Sequence, residues 1–200
     1  MSVVAGIAPY ADVRTVLEIA TTGAYRHDDG RVEQFETTSW LQTTLARSLF
    51  DATDGPTEAE ALERRLLRRD RPVDAAHELL GSEVRGRDPG GVLALLRSKH
   101  AAEFDERYED LPASVRSRMQ RLSPIRSIDE LDVRIELASA PRDRCFPTSE
   151  SRALVRAAPD AKLTITSTLE HAIPEASLDE LGDLVAFNAF VVRVLREATR

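Results

Sequence analysis

The chain has 200 residues, 42% of them hydrophobic and 30% charged, an ordinary soluble globular balance with room for one domain. A net charge of −7 argues against nucleic acid or an acidic membrane surface as partner, and a single cysteine, Cys145, excludes an internal disulfide or a cysteine-built metal site. No apolar run approaches the roughly 20 residues of a membrane span, and MSVVAGIAPYAD has no basic leader or long apolar region, so a soluble, cytoplasmic protein is expected.

SVVAGIA (2–8) is a continuous β-branched and apolar run ending at Pro9, the pattern of a strand buried on both faces in a parallel sheet. ADVRTVLEIATTG (11–23) predicts a helix with Val13, Val16, Leu17 and Ala20 on one face and Gly23 as its stop. From 24 to 122 the character changes. AYRHDDGRVEQFE reads as a polar loop, and no strand is expected anywhere in this stretch. Leu41, Leu45 and Leu49 recur at helical spacing, PTEAEALERRLLRRD opens with proline at a helix start, and the segments that follow continue the helical pattern.

Alternation resumes near 123. The run 132–138 predicts a strand, 148–160 a helix capped by Thr148 with Glu150 in its first turn, and 161–167 another strand. Residues 177–200 predict a long final helix opened by Ser177 and Glu180 as a capping box. Apolar residues from Leu184 to Leu195 fall on more than one face of it, so it is expected to be well buried. The order implies an α/β fold with a short parallel sheet of three strands flanked by helices, plus an all-helical insertion.

In parallel α/β sheets chemistry gathers just past the carboxyl ends of the strands. Asp143 in PRDRCFP and His171 in TLEHAIP hold two such positions, separated by one helix. This half of the chain resembles the α/β-hydrolase fold, whose C-terminal signature is a strand, an acid in a D-x-x-x-P turn, a helix, a strand and the catalytic histidine. The resemblance implies Asp143 as the acid of a catalytic triad, Pro147 as the turn proline and His171 as the general base, their side chains within hydrogen-bonding reach. VVAGIAPYADVRTVL is similar to the sixth strand of that fold and the chain leaving it. A helical lid commonly follows that strand, so residues 1–23 with 123–200 are expected to form the hydrolase core fragment and 24–122 the lid.

The family places its nucleophile before the acid, within G-x-S-x-G. No pair of glycines four apart encloses a serine here. GRDPG (86–90) has the form G-x-D-x-G, but Pro89 follows the aspartate and has no N–H for an oxyanion hole. Asp88 as a helix cap with Pro89 at the first helical position explains the motif better. Cys145 reads as a small turn residue, and His27, His77 and His100 as surface residues without a second metal ligand at helical spacing. Trp40, Leu41 and Phe50 read as helix packing, and the arginines of RRLLRRDR as a solvated face.

The resemblance therefore implies the C-terminal portion of a serine-type ester hydrolase, or less closely a peptidase-like one. It would contribute Asp143 and His171 to a Ser-Asp-His triad and be inactive alone, with no cofactor and no metal. Its substrate would be a small-molecule ester once an N-terminal half completes it. The alternative is a non-catalytic α/β interaction module that dimerises, or pairs with a complementing chain, through the open edge of the first strand.

Overall fold

Residues 3–27, 29–35, 37–38, 41, 44–45, 48–49, 87–170, 173–174 and 181–199 are described by the computed structural model. The chain divides into two compact units, Met1–Val13 with Leu122–Arg200, and Arg14–Arg121. The division falls at the first residue of helix α1 (Val13–Thr22), so this helix belongs almost wholly to the second unit.

The first unit is built on a three-stranded parallel sheet in the order β1 (Val3–Ile7), β4 (Arg134–Ser139), β5 (Ala161–Ile165). Val3 lies opposite Arg134 and Ile7 opposite Ala138; Ile135 lies opposite Ala161 and Ser139 opposite Ile165. The central strand β4 is the most deeply buried, as its apolar run foretells. Its odd positions, Ile135 and Leu137, pack with Leu154 of helix α5 (Thr148–Ala157) and with Ile128, which stands in one of two short 3-10 turns before the strand. Full burial of side chains of this size contributes about 1.5–3 kcal/mol each. The opposite face, through Ala138, meets Phe187, Phe190, Val191 and Val194 of helix α6 (Leu181–Ala198).

Helix α6 departs from expectation. Its sheet-facing side is covered, but Leu184, Val185, Val192 and Leu195 are exposed. A helix that is apolar all round is buried all round only if something lies on both sides of it. Ser177 and Glu180, the expected capping box, lie outside the described residues. So do His77, Trp40, Phe50 and the RRLLRRDR segment.

The second unit holds the rest of α1, which buries Val16, Leu17, Ile19 and Ala20 and ends where Gly23, at φ +65°, donates its amide to the Ile19 carbonyl. The stretch 24–35, expected as a loop, is instead an antiparallel hairpin of β2 (Ala24–Arg26) and β3 (Val32–Gln34). Its turn is made by Asp29 and Gly30: the Asp29 carboxylate accepts the Arg31 amide, and Gly30 takes φ +82°. The sequence conceals these strands because their side chains are mostly polar, so no apolar alternation marks them.

Leu41, Leu45 and Leu49 are helical, with Leu41 and Leu49 buried. Helices α2 (Arg87–Leu96), α3 (Ala101–Glu109) and α4 (Ala113–Arg121) follow. Asp88 lies inside α2 rather than capping it, and Pro89 stands in the first turn, where its missing amide costs nothing. The unit also carries a charge network. Arg26 bonds both Glu18 and Asp105, Arg14 bonds Asp105, and the Arg14 guanidinium lies over the Phe104 and Tyr108 rings. Burial pushes the Glu18 carboxyl above its usual range, and Arg26 offsets only part of that push.

Candidate functional site at the carboxyl ends of the strands

The three parallel strands end on the same side of the sheet, with β4 between its neighbours. Past β1 the chain turns at Ala8, a non-glycine residue at φ +48°, whose amide still reaches the Ala138 carbonyl at 2.8 Å. An alanine in this left-handed region is held there against a cost of about 1 kcal/mol by the structure around it.

Asp143 lies four residues beyond the end of β4 and is only 7% exposed. One of its oxygens, Oδ1, accepts the backbone amides of Cys145 at 2.7 Å and Phe146 at 2.9 Å. This turn closes the peptide around the carboxylate and hands the chain to Pro147, which in its extended conformation precedes the first residue of α5. Thr148, expected to cap that helix, is its first residue instead, and no side chain caps the terminus. Cys145 is buried in the turn, as a small turn residue should be.

Two further ties join this turn to the loop after β1. The Phe146 ring packs on Tyr10 with centroids 5.5 Å apart. Glu150, in the first turn of α5 and almost fully buried, accepts the amides of Ala11 at 2.9 Å and Asp12 at 3.0 Å through one carboxylate oxygen. Beneath them the hydroxyls of Ser139 and Ser151 bond at 2.5 Å. The charge of Glu150 suits its place in the first turn of α5. Its larger part is to hold the β1 loop against the turn that carries Asp143.

At the end of β5, Thr166 donates its hydroxyl to the Asp183 carbonyl and bonds Thr168, while Ser167 bonds the Asp183 carboxylate. These contacts tie the strand end to the first turn of α6. Next comes a short antiparallel pair that the sequence did not announce: β6 (Leu169–Glu170) with β7 (Ile173–Pro174). His171 lies outside the described residues, so its pairing with Asp143 stands as an expectation.

No family model matches the chain, and no curated protein is found similar to it. The site therefore rests on its own geometry. That geometry is a buried carboxylate in a fixed plane, beyond the central strand of a parallel sheet, beside the strand that leads to a histidine. Of the remaining histidines, His27 bonds Glu33 at 2.8 Å and sets its ring edge against Tyr25, while His100 is exposed before α3. Among the described residues no helix is long and apolar enough to cross a membrane.

A second charged centre was not foreseen. Glu136, in the middle of β4, has no exposure at all, and its two oxygens accept from Arg134 Nε at 3.0 Å and Arg193 Nε at 2.9 Å. Arg193 also bonds the Thr164 hydroxyl at 2.8 Å. One α6 guanidinium thus spans β4 and β5. The signal was present: a lone acid within an apolar strand run and a lone arginine within FVVRVL.

Proposed function

We propose that this chain contributes the acid and the base of a Ser-Asp-His triad in an α/β-hydrolase acting on carboxylic esters, with Asp143 as acid and His171 as base. In this reading the attacking hydroxyl comes from outside these 200 residues, and residues 24–122 form the lid over the substrate. The observation that supports it most is the held carboxylate. Two backbone amides fix the plane of Asp143 at the carboxyl end of the central strand, where an orienting acid has to stand. Such a carboxylate binds one imidazole nitrogen as N–H and leaves the other to take a proton from a hydroxyl, then return it to the leaving group.

The test reads the imidazole directly and needs no nucleophile. In nitrogen-15 spectra at alkaline pH, His171 is expected as a single tautomer with the proton on the nitrogen facing Asp143, and Asp143→Asn is expected to convert it to a mixture. A mixed-tautomer His171 in the unaltered protein, with no response to Asp143→Asn, would overturn the pairing. If the purified chain turns over p-nitrophenyl esters, that activity is expected to vanish in His171→Ala.

A further inference from the structure

The outer side of α6 carries a pattern that the sheet does not use. Val185, Asn188, Val192, Leu195 and Thr199 follow one another at intervals of three, four, three and four residues, and all five are exposed. This is the spacing of a coiled-coil seam, two heptads long, on the side of the helix opposite Phe190. Exposure is 67% at Val185, 37% at Val192 and 59% at Leu195, with Leu184 beside them at 43%. Scattered single apolar residues on a surface are ordinary; Val185, Val192 and Leu195 at seam spacing, with Leu184 beside them, are the mark of a helix partner.

We propose that this stripe is the contact through which two copies of the chain associate, their α6 helices lying antiparallel about a twofold axis. In an antiparallel pair, residues at the first seam position layer against residues at the fourth. The stripe meets that requirement with itself: Val185 falls on Leu195 of the partner subunit and Asn188 on Val192 of the partner subunit, and symmetry repeats both layers. A twofold contact needs a patch that is its own complement, and this one is.

Like charges do not meet across the seam: Arg196, the one charged residue bordering it among the described residues, comes level with Leu184 of the partner subunit. Antiparallel helices also oppose their dipoles favourably. Asn188, a polar group set against Val192 of the partner subunit, lowers the affinity of the contact. Covering the four apolar side chains on both copies removes on the order of 700 Å² from water. With Asn188, Ala189 and Thr199 the contact reaches the roughly 1,000 Å² of a specific but weak interface. This association does not depend on the proposed hydrolase chemistry.

Sedimentation velocity of the full chain over the micromolar range tests it. The expected result is a mass that rises from one copy toward two with concentration. Leu195→Glu should hold the mass at one copy with unchanged far-ultraviolet dichroism, because the side chain is exposed and takes no part in the core. Asn188→Leu should tighten the dimer by about tenfold. Cysteines at both ends of the seam, Val185→Cys with Leu195→Cys, should oxidise to a covalent dimer, whereas Val185→Cys alone should not. A single-copy mass for the unaltered chain at every concentration would overturn the proposal. So would a dimer indifferent to Leu195→Glu, or one cross-linked by Val185→Cys alone, which requires parallel helices.

Discussion

A buried carboxylate is costly unless donors meet it, and Glu150 shows what the fold gains in return. Its side chain is the only link between α5 and the backbone at Ala11 and Asp12 for which bonds are described, and it satisfies two amides that α1 leaves unpartnered before its first turn. Glu150→Ala withdraws the acceptor from both. A loss of about 2–3 kcal/mol is expected in urea unfolding, with Glu150→Gln losing less because one amide-accepting oxygen survives. The turn around Asp143 was legible in the sequence from its D-x-x-x-P spacing and the strand before it. The use of Glu150 was not, because spacing along the chain says nothing about an acceptor reaching across 139 positions.

At the level of elements, α6 is held to the sheet by apolar contact, by the Thr166 and Ser167 bonds to Asp183 and by one ionic anchor. Glu136 shares its charge between Arg193 of the helix and Arg134 of its own strand. Arg193→Ala leaves Glu136 wholly buried with Arg134 alone, and a loss of about 3 kcal/mol is expected. Replacing both residues together, Glu136→Leu with Arg193→Leu, removes the stranded charge as well as its partner and is expected to cost less than the single change. Chemical denaturation of the three proteins side by side checks this order. The helices and parallel strands of the first unit were readable because apolar periodicity writes them plainly. The β2–β3 hairpin was not, since Tyr25, Arg26, Glu33 and Gln34 form a ladder of backbone bonds without an apolar face to advertise it. The aspartate–glycine pair at 29–30 was the available signal, and it lay within a stretch too polar to suggest strands.

For the molecule as a whole, the sheet has three strands, and β1 shows one edge that no described residue pairs. Its sequence, VVAGI, carries no charge to deter another strand from adding, and Ile7 is 40% exposed. Ile7→Lys is expected to delay turbidity on heating while changing unfolding free energy by no more than about 0.5 kcal/mol. The pairing of β4 with β5 followed from element order, because strands joined by a single helix have few ways to lie, whereas β1 is separated from β4 by residues 8–133 and its place beside β4 is seen only in the fold. The stripe on α6 shows the other side of the same reasoning. Its apolar residues are plain in the sequence, but only the folded structure separates those that face the sheet from those that face water.

Ala8 sets a different kind of limit. At φ +48°, the residue that ends β1 tolerates glycine best and asparagine or aspartate next, while a side chain branched at Cβ would clash with its own backbone. A relative of this chain carrying valine, isoleucine or threonine at that point must route its first loop another way. The amino acid found there thus serves as a filter: it separates sequences that share this strand exit, and the approach to Asp143 built on it, from those that merely share the pattern of strands and helices.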